Sequence, residues 1–92
     1  MPRFLIEVTH DNEPMACIMV AEAFARSGSH FLTRADWGCQ DGEHKAWLIV
    51  EVGSKQEAQN IVPSEFRQQS RVIGLNAFTL EQVGEMRRHH RR

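Results

Sequence analysis

Two histidines and two cysteines are the side chains of this sequence that best suit metal binding or catalysis. They are widely separated in the sequence, as His10, Cys17, Cys39 and His44. Thiolate sulfur and imidazole nitrogen are the ligands that zinc takes in tetrahedral protein sites. The same donors also bind copper or nickel, because the affinity of such a site depends more on which metal is offered than on the protein. The sequence therefore predicts a transition-metal site, provided that the fold gathers these four side chains.

Two other interpretations of the same residues need no metal. In the first, Cys17 lies near a helix start, where the helix dipole favours a thiolate, and His10 or His44 acts as general base. In the second, the residues only pack, since free cysteine is among the most buried residue types. Metal binding, cysteine chemistry and packing all stay open at the level of sequence.

The elements that must position these residues follow the order β-α-β-β-α-β. Apolar alternation predicts four strands, over residues 4–9, 30–38, 45–52 and 71–79. A helix is predicted between Pro14 and Gly28, a short one after the capping box at Ser54, and a terminal one after a similar box at Thr79. This order predicts an α+β fold of ferredoxin-like type: an antiparallel four-stranded sheet in the order 4-1-3-2 with the helices on one face.

The predicted topology brings the histidines and cysteines together. The pair Asp41 and Gly42 indicates a two-residue hairpin turn, which puts Cys39 directly opposite His44 and Trp37 opposite Ala46. His10 continues the inward parity of the first strand, whose end is level with the start of the third. Cys17 begins the inward stripe of the first helix. We therefore expect all four to lie at one end of the core.

The sheet face opposite the helices is expected to be bare in a monomer. Its predicted apolar residues are Leu32, Trp47 and Ile49, which alternate with charged residues. Large apolar groups with a polar rim are typical of two-fold interfaces, so we predict a homodimer through this open face. RNA binding is the competing interpretation. It is disfavoured because the chain has no tyrosine and no RNP pattern, and because its body is acidic.

The net charge of -1 conceals two unlike parts of the chain. Four of its 11 basic side chains lie in residues 87–92, which leaves 7 basic against 12 acidic side chains in residues 1–86. We predict a single domain over 1–86 and a basic tail over 87–92, which either extends the last helix into solvent or contacts phosphates or an acidic partner. No signal-peptide pattern and no apolar run near the ~20 residues of a membrane span are present. With only two cysteines, a cytoplasmic protein with free thiols is expected.

The element order, the hairpin at residues 41–42 and the segment 63–67 before the last strand resemble the small ferredoxin-like proteins that form dimeric α/β barrels. That superfamily includes antibiotic-type monooxygenases, muconolactone isomerase-like enzymes and small nickel-binding proteins. The resemblance covers about residues 3–79 and includes no catalytic motif. It implies a dimer and a pocket between sheet and helices.

Three hypotheses of function follow. The first is a small cytoplasmic protein that binds a transition metal, or a metal-dependent ligand. The second is a dimeric-barrel enzyme of isomerase or oxygenase type, which binds a small organic molecule near Trp37 while His10 or His44 moves protons. The third is a structural or regulatory interaction module with no chemical site. Whether the protein is an enzyme is left open by the sequence.

Overall fold

The secondary structure alternates between short strands and helices throughout the chain. A computed structural model describes residues 1–90, with residues 29 and 30 described by their backbone alone. The strands are β1 (Arg3–Thr9), β2 (Asp36–Trp37), β3 (Lys45–Glu51) and β4 (Ser70–Leu75). The α-helices are α1 (Pro14–Ser27), α2 (Ser29–Arg34), α3 (Lys55–Ile61) and α4 (Leu80–His89). Two 3-10 segments cover Cys39–Asp41 and Ser64–Gln69.

The four strands form one antiparallel sheet in the order β2-β3-β1-β4. This is the order 4-1-3-2 seen from the other edge, and the predicted α+β class with a four-stranded antiparallel sheet is confirmed. β1 lies in the middle, so that Leu5 pairs with Ile49 of β3 on one side and with Ile73 of β4 on the other. Because β1 is paired on both sides, it sets the positions of β3 and β4 relative to each other.

The predicted second strand differs in detail, because residues 29–34 form α2 and only Asp36–Trp37 pair with β3. In a strand, the adjacent residues Phe31 and Leu32 would point to opposite faces of the sheet. In α2 both pack against the same core, and this burial outweighs the period-two pattern. The predicted pairing of Trp37 with Ala46 is confirmed. The part of the predicted second strand before residue 36 is wrong, because residues 29–34 form α2, and Leu32 does not lie on the open sheet face.

The core lies between the sheet and the helices α1 and α3. Alternate residues of β1, β3 and β4 point inward, and α1 adds Val20 and Phe24 while α3 adds Ala58. Phe24 also contacts Trp37 edge-to-face, with ring centroids 6.1 Å apart. The buried apolar cluster consists of Ile6, Val8, Val20, Phe24, Leu48, Val50, Ala58, Val62 and Val72. Its strand residues all share one face, so α1 and α3 cover that face and leave the other open.

Local capping fixes the two later helices. The Ser54 hydroxyl accepts a hydrogen bond from the backbone of Glu57 at 3.1 Å, and Thr79 and Gln82 form a reciprocal capping box, as predicted. α4 runs across the predicted boundary between residues 86 and 87, while residues 91 and 92 of the predicted tail lie outside the described residues. Among residues 1–90, no helix combines the length and apolar character needed to cross a membrane.

Phe24 should contribute strongly to stability because it is only 1% exposed at the centre of the core. We expect Phe24→Ala to lower the free energy of unfolding by about 3–5 kcal/mol, since removing a buried ring loses its burial and leaves a cavity. The matched control is Phe78→Ala, because Phe78 is 59% exposed and should cost less than about 0.5 kcal/mol. Urea denaturation followed by circular dichroism measures both, and equal effects would contradict this core assignment.

Candidate metal centre

The site begins where the end of β1 meets the start of β3. The strand register ends with Thr9 opposite Lys45, and one step further the backbone nitrogen of His10 donates to the carbonyl of His44 at 3.0 Å. The two histidine rings consequently lie side by side, with centroids 5.7 Å apart. His10 is 5% exposed, as its inward parity predicts. The prediction that His10 lies near His44 is therefore confirmed.

Cys39 reaches this end of the sheet by a route that differs from the prediction. The turn is longer than two residues: Gly38 donates to the carbonyl of Lys45, and Cys39–Asp41 form a 3-10 turn that ends at Gly42 with φ +84°. The prediction that Cys39 directly opposes His44 across a two-residue turn is therefore wrong. The 3-10 turn nevertheless brings the Cys39 Sγ to 3.1 Å from the Nε2 of His10.

Three of the four predicted ligands form a compact group. One potential ligand atom from each of His10, Cys39 and His44 lies within 4.8 Å of the other two. Ligands of a tetrahedral zinc ion, bound at about 2.0–2.3 Å, lie about 3.3–3.8 Å from one another. The observed group is slightly wider than such a coordination sphere, so small side-chain movements would suffice to hold an ion.

The hydrogen bonds of His10 orient its ring for ligation. Its Nδ1 lies 3.1 Å from the carbonyl oxygen of Asp11. Because a carbonyl can only accept, Nδ1 carries the hydrogen of the neutral ring, and the lone pair of Nε2 is directed to the Cys39 sulfur. A backbone carbonyl that holds one ring nitrogen while the other binds metal is a common arrangement in metalloproteins.

The second histidine of the group, His44, has an unsatisfied ring nitrogen. Among the described residues, its Nδ1 is the buried side-chain nitrogen or oxygen without a hydrogen-bond partner. Buried polar atoms are almost always paired, because desolvation without a partner costs about 1–3 kcal/mol. A ligand role would satisfy this nitrogen.

Cys17 joins the group through the second cysteine. Its Sγ lies 2.7 Å from the Sγ of Cys39, and both residues are half-buried. The hydrogen bond with Cys39, together with burial and the charge of Cys39, raises the pKa of Cys17 to about 11. At neutral pH Cys17 is therefore a thiol, contrary to the expectation that the helix start favours its thiolate. It can act as a fourth ligand once a bound ion displaces its proton.

A surface cleft of about 490 Å³ opens beside the two sulfurs. Trp37 lines it, as predicted, together with both cysteines. The sequence interpretation did not identify the other lining residues, which are Ala21, Ala35, Asp36 and Gln40. Ala35 follows α2 and Gln40 lies in the 3-10 turn, two elements that the sequence did not predict, whereas Ala21 and Asp36 belong to α1 and β2.

The open sheet face carries Trp47 and Ile49 of the predicted interface but not Leu32. Two further apolar residues of this face, Leu5 and Ile73, were not predicted as interface residues. They are cross-strand neighbours in the row Ile49–Leu5–Ile73. Beside this row, the Nε1 of Trp47 donates to Glu7 at 3.2 Å. Glu7 also lies 3.7 Å from Lys45 and 3.8 Å from Arg71. The centre of this face therefore carries a carboxylate, and its side chain is only 16% exposed.

Gly38 should be required for the position of Cys39. A Cβ at residue 38 would lie 2.8 Å from the backbone oxygen of Glu43 and 2.9 Å from the Trp47 ring, both rigidly held. We expect Gly38→Ala to reduce the free energy of unfolding by about 1–3 kcal/mol, since overpacking forces the backbone to shift. Gly74→Ala is the matched control, because its Cβ would make an ordinary 3.8 Å contact with Phe4. Urea denaturation should show that Gly38→Ala is less stable than Gly74→Ala. Equal stability of the two variants would contradict the close approach of Glu43 and Trp47 to Gly38.

Comparison of the chain with protein-family models, with curated proteins and with solved structures found no match. The resemblance to dimeric α/β barrels stays a prediction from the order of elements. The residues and geometry of the His/Cys group are what support a function for this chain.

Proposed function

We propose that this protein binds one transition-metal ion through His10, Cys39 and His44, with Cys17 available as a fourth ligand. The observation that carries the proposal is the convergence of three ligand atoms within 4.8 Å of one another. These residues come from the end of β1, the 3-10 turn and the residue before β3, so they meet only in the folded chain.

The ligand chemistry favours zinc among the metals considered. Two sulfurs and two imidazoles match the donors of tetrahedral zinc sites, and zinc imposes no geometry of its own on the ligands. Copper and nickel accept the same donors, and copper binds them more tightly in the absence of competition. With Cys17 bound, the coordination sphere is closed, which is the state of a structural or storage site. Without Cys17, a fourth ligand would have to come from elsewhere, and the cleft that Cys39 lines would give a small molecule access to the ion.

Zinc binding gives the first test of this function. Protein purified without a metal-affinity resin should contain about one zinc per chain by mass spectrometry of metals. Cobalt added to the metal-free protein should give a thiolate-to-cobalt charge-transfer band, because at least one sulfur binds the ion. If both sulfurs bind, Cys39→Ser and Cys17→Ser should each reduce that band to about half; if Cys39 alone binds, Cys39→Ser should abolish the band and Cys17→Ser should leave it unchanged.

The histidine variants need a matched control. His44→Ala and His10→Ala should each weaken zinc binding by more than about tenfold in competition with a chromophoric chelator. His89→Ala removes an exposed histidine of α4 and should leave the affinity unchanged. Circular dichroism confirms that each variant is folded. A wild-type protein that takes up no zinc, copper, nickel or cobalt would refute the proposal.

An enzyme acting on a small organic molecule is the second candidate function, and the cleft beside Trp37 supports it. In that case His10 or His44 would move protons at a ligand bound in the cleft. The metal titration separates the two functions, because proton transfer by a histidine does not require a stoichiometric ion. A structural or regulatory module with no chemical site is the third possibility, and it would leave the buried Nδ1 of His44 unexplained.

We also propose a cytoplasmic location and a homodimer through the open sheet face, in which two ferredoxin-like sheets pack face to face as a barrel. A reducing compartment would keep both cysteines as thiols. The row Ile49–Leu5–Ile73 supplies an apolar centre, and charges of both signs around it can pair across a two-fold axis. Nucleic acid on this face is disfavoured because residues 1–86 carry 12 acidic side chains against 7 basic ones, which makes the body of the chain repel phosphates.

The dimer has its own test at Ile49, which is 53% exposed. We expect Ile49→Glu to convert a dimer into a monomer, because the new carboxylate would be buried opposite apolar residues of the partner. Analytical ultracentrifugation at micromolar concentration measures the mass. Met15→Glu makes the same change at an exposed residue of α1 and should leave the dimer intact. A monomeric wild-type protein would contradict the interface.

A further inference from the structure

We infer that Cys17 and Cys39 form a redox-active dithiol, which closes to a disulfide on reaction with a low-molecular-weight disulfide and thereby empties the metal site. The disulfide itself depends only on the two cysteines, whereas its effect on the metal rests on the function proposed above. The inference makes the oxidation state of the cysteines a control on metal binding.

The distance between the two sulfurs is the first support. The Sγ atoms lie 2.7 Å apart, although the residues are separated by 21 others in the chain and belong to α1 and to the 3-10 turn. Sulfur atoms of a disulfide lie about 2.05 Å apart. The sulfurs therefore need to approach by only about 0.7 Å, a displacement that side-chain rotation alone can supply.

Access to the sulfurs is the second support. Both cysteines are half-buried and line the cleft of about 490 Å³, together with Trp37 and Gln40. The cleft is large enough for a small disulfide to reach either sulfur. Buried structural cysteines are inert because reagents cannot reach them, and these two are not in that position.

His10 supplies a proton acceptor for the first step. Its Nε2 lies 3.1 Å from the Cys39 Sγ, and the bond from Nδ1 to the Asp11 carbonyl leaves a lone pair on Nε2. In the first step Nε2 takes the proton of Cys39, the sulfur attacks one sulfur of the small disulfide, and a thiolate leaves. A bond between Cys39 and half of the small molecule forms as the original sulfur–sulfur bond breaks.

The second step completes the exchange within the protein. The Cys17 sulfur attacks the Sγ of Cys39, the mixed disulfide breaks, and the second small thiolate leaves. The protons of Cys17 and of His10 end on the two small thiols. In total two protein thiols lose two electrons and two protons, and one small disulfide is reduced to two thiols.

Disulfide formation and metal binding exclude each other at these sulfurs. A metal ion requires thiolate ligands, and a disulfide sulfur is no longer a thiolate. After oxidation only His10 and His44 are left as ligands, which are too few to hold zinc tightly. A bound ion should equally protect the dithiol, since it occupies the Cys39 sulfur that must attack.

Glutathione disulfide is the probe for the experiment, and the protein is tested in its metal-free and zinc-loaded forms. We expect the metal-free protein to lose two hydrogen atoms in its intact mass, with no glutathione attached and no thiol left to alkylate after unfolding. Loading with zinc should slow this reaction by at least about tenfold. The oxidised protein should bind zinc at least about a hundredfold more weakly, and dithiothreitol should restore binding.

Cys17→Ser separates the redox reaction from metal binding. It lacks the second sulfur, so it should hold glutathione at Cys39 as a lasting mixed disulfide, while its three remaining ligands still bind zinc. Metal-free wild-type protein that stays reduced, or that keeps glutathione attached, would overturn the inference. Oxidised protein that still binds zinc with the affinity of the reduced form would also overturn it. If zinc never binds although the disulfide forms, the proposed function fails and the dithiol exchange stands alone.

Discussion

The backbone hydrogen bond from the nitrogen of His10 to the carbonyl of His44, 3.0 Å long, is the contact on which the candidate site depends. It continues the β1–β3 ladder beyond Thr9 and Lys45, so the two histidines are held opposite each other by the sheet itself. A ladder is a rigid support, because each bond is reinforced by those next to it and by the buried residues behind it. The sheet therefore positions both histidines, and neither depends on a flexible loop for its place.

The sulfur side of the site is built differently. Cys39 belongs to a 3-10 turn whose approach depends on Gly38, where any side chain would meet Glu43 and Trp47. Cys17 comes from the first turn of α1, and its Sγ lies against the Sγ of Cys39. In the proposed metal site the two imidazoles would be nitrogen donors positioned by the sheet, whereas the two adjacent sulfurs at the cleft are donors whose chemical state can change. This division explains why one place in the fold suits both an ion and a thiol reaction.

The open face follows from the same sheet. Helices α1 and α3 cover the inward residues, which leaves the row Ile49–Leu5–Ile73 and the charges around Glu7 on the other side. Of the three contacts of Glu7, the hydrogen bond from Nε1 holds the Trp47 ring, and the ion pairs with Lys45 and Arg71 place positive charge beside the carboxylate. This mixture of apolar and charged residues is the basis of the interface proposed with a second copy of the chain.

The sequence by itself determined the inward parity of β1 and β3, the helix caps and the meeting of His10 with His44, because strand periodicity and antiparallel pairing are local rules that propagate along a ladder. It did not determine α2, since Phe31 and Leu32 satisfy a strand pattern locally and only the shared core favours a helix. Nor did it determine the turn at Cys39 or the 2.7 Å contact between the sulfurs. Those features depend on how distant segments pack, and a short turn adopts whichever conformation the surrounding core and ladder stabilise.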